Sequence, residues 1–314
     1  MPRLHLSSTF RTTVRATFNH AFRRAVTPLL ITLTLSLSAS VQADVTLVRH
    51  PQGVTEWDQR NDYFIAVLRL ALDKTHDQYG DYLLEESSQP LTQSRAIAML
   101  SADDEVDVLW SMTSRLRETQ MLPVRIPLLK GLMGYRLFII RAEDEMWFKD
   151  ITTLDQLREL RAGQGHDWPD AEILRSNGLH VETSVEYENL FRMLHAGRFD
   201  FLPRAINEPW EEVKARKELD LSIEKNLLLY YPTASYFFVS KNNPALAERL
   251  RTGLEKAIAD GSFETLLLNH PINAFALKNA RMKERHMLKL VNPLLPAETP
   301  LERKELWWQM GEGE

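Results

Sequence analysis

The chain is 314 residues long, with 38 basic and 43 acidic residues, a formal net charge of −5 and no cysteine. With 44% apolar residues it can bury a sizeable core, and without thiols it excludes a disulfide framework and a thiolate zinc site. The acidic balance argues against nucleic acid or an anionic membrane surface as a partner.

Residues 1–43 read as a secretory leader. Arg3, Arg11, Arg15, Arg23 and Arg24 precede the apolar run AVTPLLITLTLSLSA, and Val41-Gln42-Ala43 places small residues where a signal peptidase reads. Cleavage is expected after Ala43, with delivery to the periplasm. The apolar run, about 15 residues, is short for a bilayer span, which needs roughly 20. Export would remove five arginines and no acid, leaving 33 basic and 43 acidic residues, a net charge of −10, in a mature chain of 271 residues. That length suits two modest domains or one large one.

From Asp44 onward, short apolar runs alternate with amphipathic helical patterns, which predicts an α/β fold. DVTLVRH (44–50) reads as a first strand. NDYFIAVLRLALDKT (61–75) carries a helical apolar stripe with Asn61 as its N-cap. YLLEES reads as a strand, LTQSRAIAML as a helix, and VDVLWS (106–111) and GYRLFIIR (134–141) as strands. In the second part TTLDQLREL (152–160) is a short capped helix. WPDAEILRSNG (168–178) is a helix with Pro169 at its start and Gly178 past its end. SVEYENLFRMLHAG (184–197) is a helix capped by Ser184 and stopped at Gly197. The strand FDFL, a helix around NEPWEEVKARKEL, the strand ASYFFVSK (234–241) and a helix capped by Asn243 follow. The proline-punctuated tail NPLLPAETPLERKELWW is expected to wrap over the surface, where its tryptophans either pack back or dock a partner.

This order of elements resembles the family 3 extracytoplasmic solute-binding proteins, which include the amino-acid receptors of ABC importers. The resemblance covers roughly residues 44–275. It rests on VDVLWSMTSRLRETQMLPVRIPLLKGLMGYRLFIIR, on TTLDQLREL, on YENLFRMLHAGRFDFL, and on SYFFVSKNNPALAERLRTGLEKAIADGSFETLL. It implies a two-lobed periplasmic-binding-protein type II fold with two crossing hinge strands, near Gly134–Arg141 and Ala234–Lys241, and a ligand cleft between the lobes. The first lobe would take residues 44–137 and 237–290, the second lobe 138–236, and the tail 291–314.

The candidate site follows from that frame. The family's arginine grips a carboxylate bidentately. Arg117 is the nearer match to it, with Ser114 in place of the family's hydroxyl and Arg115 as the fallback; otherwise both arginines are solvated surface residues. The loop GQGHDWPD feeds a helix N-terminus, where His166, Asp167 and Trp168 replace the family's hydroxyls and Asp167 can instead cap the helix. Trp57 stands where the family often sets an aromatic over the ligand. In GRFDFLPRAINE, the region where the amino-acid receptors carry an acid for the ligand's ammonium holds Pro203 and Arg204, and the next acid, Glu208, is four residues on. Arg204 would repel an ammonium, so Arg117 and Arg204 together predict an anionic guest. A turn-closing Arg204–Glu208 ion pair is the other reading.

The sequence thus predicts a monomeric periplasmic binding protein, not an enzyme, with no cofactor, metal or catalytic residue. It would capture a small polar, anionic, amino-acid-like or carboxylate solute by hinge closure for an ABC permease. Two alternatives stand beside it. One is a ligand-sensing partner of a membrane receptor; the other is a cleft enzyme whose acid or base would come from Glu208, Asp167 or His166.

Overall fold

The computed structural model describes residues 45–53 and 60–310. The leader, its cleavage site and Trp57 lie outside the described residues. No helix among the described residues is long and apolar enough to cross a membrane.

The first half runs β1 (Thr46–Gln52), α1 (Arg60–Asp73), α2 (His76–Tyr79), β2 (Tyr82–Pro90), α3 (Gln93–Ser101), β3 (Val108–Met112), α4 (Arg115–Gln120) and β4 (Leu122–Val124). The middle runs β5 (Tyr135–Arg141), α5 (Glu145–Phe148), α6 (Leu154–Arg158), β6 (Arg161–Gly165), α7 (Pro169–Ser176), β7 (His180–Ser184), α8 (Tyr187–His195), β8 (Leu202–Ala205), α9 (Pro209–Lys214), β9 (Leu221–Ile223) and β10 (Leu227–Tyr230). The remainder is β11 (Ser235–Val239), α10 (Pro244–Ala259), α11 (Ser262–Asn269), α12 (Pro271–Ala280) and β12 (His286–Lys289).

These strands form two layers. In the first lobe β11 lies antiparallel between β3 and β4. The parallel pair β1–β2 is tied to it where the Asp107 amide donates to the Arg49 carbonyl. In the second lobe the order is β12-β10-β5-β8, with β9 also on β5. The parallel pair β6–β7 joins this sheet at Ala162–Phe201. Strand β5 is buried along almost its whole length because both its faces are covered. Leu137 enters the core shared with α1 and α10, whereas Phe138 and Ile140 enter the second-lobe core.

The chain passes to the second lobe through the turn Leu132–Gly134 and returns between β10 and β11. A third passage corrects the expected boundaries. Residues 286–289 fall inside the segment assigned to the first lobe, yet β12 pairs in parallel with β10 in the second sheet. Leu288 and Leu290 fill that lobe's core, because an edge strand with apolar side chains gains more there than in solvent. The tail then crosses back, and Leu306 and Trp308 are buried in the first-lobe core.

Two expected caps are also corrected. Helix α1 begins at Arg60, so Asn61 lies within it and its Oδ1 accepts from Trp110 Nε1 at 3.3 Å. Ser184 ends β7, and α8 begins at Tyr187. Asn243 does cap α10, accepting from the Leu246 amide.

Helices α1 and α10 pack so closely that a Cβ on Gly253 would sit 1.9 Å from the Ala71 carbonyl oxygen. Gly253→Ala is therefore expected to push two backbones apart and cost about 1–3 kcal/mol. Urea denaturation would read this as a lower midpoint, and an unchanged midpoint would mean the helices separate freely.

Candidate functional site

Between the lobes lies a cavity of about 570 Å³. Its first-lobe wall includes Phe64, Leu91, Trp110 and Met112; its second-lobe wall includes Trp168, Tyr187, Arg204 and Glu208; Met133 and Arg136 stand at the connection. Trp110 stacks on Phe64 with ring centroids 5.4 Å apart and planes 14° from parallel.

Arg117 is buried in α4, but it is outside the cavity wall. Ser114 caps α4 by accepting from the Arg117 amide at 3.2 Å. The guanidinium spends all four terminal N–H groups on protein acceptors. Nη1 donates to Ser111 Oγ at 2.5 Å and to the Met112 carbonyl at 2.9 Å. Nη2 donates to Gln93 Oε1 and, across the cleft, to the Asp167 carbonyl at 3.2 Å. Burial is the main cause that lowers its pKa to about 10, a value at which it remains charged at neutral pH. Arg115 is exposed and away from the cavity.

His166, Asp167 and Trp168 form the turn between β6 and α7, and all three line the cavity. Asp167 does not cap its own helix, whose N-cap is Trp168. Its carboxylate reaches the other lobe, where Oδ2 accepts from the amide and hydroxyl of Ser94 at 3.1 and 2.5 Å. Ser94 sits in the first turn of α3, so the acid meets free amide groups at the positive end of that helix. Trp168 fits because Gly165 has no side chain; a Cβ there would lie 2.4 Å from the indole ring.

Arg204 is in the wall, 3% exposed, and does not stand free. Nε donates to both Glu212 oxygens at 3.0 and 2.9 Å, and Nη2 to Oε1 at 2.6 Å. Glu208 Oε1 lies 3.1 Å from Nη2, and the guanidinium carbon is 4.6 Å from the Trp168 ring centroid. Burial alone would lower the arginine's pKa; Glu208 and Glu212 outweigh it and hold the group above its ordinary value. The turn-closing ion pair is present and enlarged by Glu212. With Arg204 matched by carboxylates and Arg117 saturated, the basis for an anionic guest held by two free arginines is gone.

Sequence reasoning passed over Arg136, Asp170 and Glu212. Asp170 Oδ1 lies 2.8 Å from Arg136 Nη2 and accepts from the Tyr231 hydroxyl. A lone cation inside the apolar run GYRLFIIR was the available signal for Arg136. Glu212 was hidden by its place among the ordinary acids of WEEVK.

No protein-family model and no curated protein matches the chain. Solved structures do. An ancestral arginine-binding protein bound to arginine is 16% identical, with a TM-score of 0.52, covering 70% of this chain and 96% of that one. The periplasmic VFT2 domain of BvgS from Bordetella pertussis is 17% identical, with a TM-score of 0.54, covering 71% and 92%. A histidine kinase sensor domain with similarity to periplasmic binding proteins is 16% identical, with a TM-score of 0.51, covering 80% and 98%. These likenesses establish architecture: the chain has the two-lobed, periplasmic-binding-protein type II fold, with its cavity between the lobes.

Proposed function

We propose that the protein is a periplasmic solute-binding protein that captures a small polar solute by hinge closure. The observation that carries this reading is a cavity between two lobes that already reach for one another through Asp167. A solute bridging the walls would stabilise the closed arrangement by its greater affinity for it. The neighbours in fold are binding proteins and sensor domains, and we read this chain as a binder rather than an enzyme. Its expected catalytic candidates Asp167 and Glu208 serve as acceptors for Ser94 and the Ala205 amide.

The test is thermal denaturation of the chain from Asp44 onward against amino acids, dicarboxylates, small amines and sugars. A solute at about 100 times its dissociation constant adds roughly 2.7 kcal/mol, a visible rise in Tm. A flat response to every class would sink the reading.

A second reading, a ligand-sensing partner of a membrane receptor, is favoured by one observation. The likeness to the kinase sensor domain extends over 80% of this chain, further than the likeness to the arginine-binding protein at 70%. Either role uses the same closure. Asp167→Ala removes the acceptor for two hydrogen bonds, each worth about 1 kcal/mol. The solute-free variant is expected to show a larger radius of gyration by X-ray scattering than the parent. Identical scattering curves would mean that this bridge does not hold the lobes together.

A further inference from the structure

Resting on the solute-binding reading, we propose that the guest is an organic cation, held by its ammonium or guanidinium end and its apolar body, with no carboxylate grip. Four features of the cleft could receive an anion, and each already faces an acid or another acceptor within the chain. Arg117 gives its terminal N–H groups to Ser111, Met112, Gln93 and the Asp167 carbonyl. The first turn of α3 gives its Ser94 amide to the Asp167 carboxylate. Arg136 is ion-paired with Asp170 at 2.8 Å, although its Nε and Nη2 make no hydrogen bond, and Arg204 lies against Glu212 and Glu208. A solute carboxylate would have to compete with these acids and acceptors for the same cations, which is costly.

The charge left over is negative. Arg117, Arg136, Arg204 and Arg216 face Asp167, Asp170, Glu186, Glu188, Glu208 and Glu212, so four cations stand against six carboxylates. His166, in the same wall, adds at most one positive charge and does not reverse the sign. Glu186 is exposed, lines the cavity, and its carboxylate bonds to no other described residue. The opposite wall offers Trp110 backed by Phe64, an aromatic surface that suits an apolar chain or a cation. An ammonium or guanidinium could thus approach Glu186 while the body of the solute packs on Trp110.

Four probes test this: agmatine, cadaverine, succinate and L-glutamine, each added to the chain from Asp44 onward. Agmatine or cadaverine is expected to raise Tm and succinate to leave it unchanged. Glu186→Gln, a surface change that keeps the fold, should weaken calorimetric binding of the responding amine about tenfold or more. An amine response that Glu186→Gln leaves intact would overturn the assignment of the cationic end to Glu186. Stabilisation by succinate or L-glutamine with neither amine active would overturn the cation proposal and leave solute binding standing. Silence from all four would overturn the cation proposal and leave solute binding to be decided by the wider screen of solute classes.

Discussion

Arg204→Ala is expected to destabilise the protein by about 3–5 kcal/mol, because it strips the partner from carboxylates that are out of water. Glu212 is 0% exposed and accepts from Arg204 and from the Tyr187 hydroxyl, and Glu208 has a side chain only 14% exposed. Removing the guanidinium leaves acids where solvent cannot repay their hydration. For a chain of this size that loss corresponds to a Tm lower by on the order of 10 °C. The double replacement Arg204→Met with Glu212→Met removes both charges and should recover much of it. A loss below about 1 kcal/mol in the single variant would show that the pair behaves like a solvated surface contact. The effect is also local to the cleft, since the same guanidinium lies beneath Trp168 and fixes one wall of the cavity.

That pair marks the limit of what was legible in the sequence. Apolar runs such as VDVLWS, GYRLFIIR and ASYFFVSK announced β3, β5 and β11, since a strand buried on both faces must be apolar throughout. Strand β6, Arg-Ala-Gly-Gln-Gly, gave no such sign. It has no branched residues, and it is held as a strand by β7 and by Phe199 lying over Gly163. Arginines of interest could be picked out, but not their partners. Glu212 is eight residues from Arg204 and Asp167 fifty from Arg117, separations that only the tertiary fold closes. Two of the expected caps failed for the same reason: Asn61 was drawn into α1 to meet Trp110, and Ser184 was taken by β7. The paths of β10 and β12 were equally hidden, because two short apolar segments some sixty residues apart carry no local mark of their pairing.

The tail yields the other large effect. Trp308→Ala is expected to cost about 3–5 kcal/mol, the usual loss for emptying a core position of this size. Trp308 is 7% exposed, its amide donates to the Lys130 carbonyl at 2.7 Å, and Leu306 beside it is 1% exposed. Trp307 lies over Gly131, where φ is +73° and a Cβ would fall 2.5 Å from the indole, so the loop before β5 is shaped to receive the tail. Because β12 is a strand of the second lobe and Trp308 a core residue of the first, residues 290–307 tie the lobes together beside the two main crossings. Releasing the first-lobe anchor should therefore both lower stability and loosen closure. Urea denaturation reads the first, and faster proteolysis within 291–305 together with a larger radius of gyration reads the second. A cost under about 1 kcal/mol with no added cleavage would mean that Trp308 contributes little to the core, and the tail would then be better read as a surface for a partner.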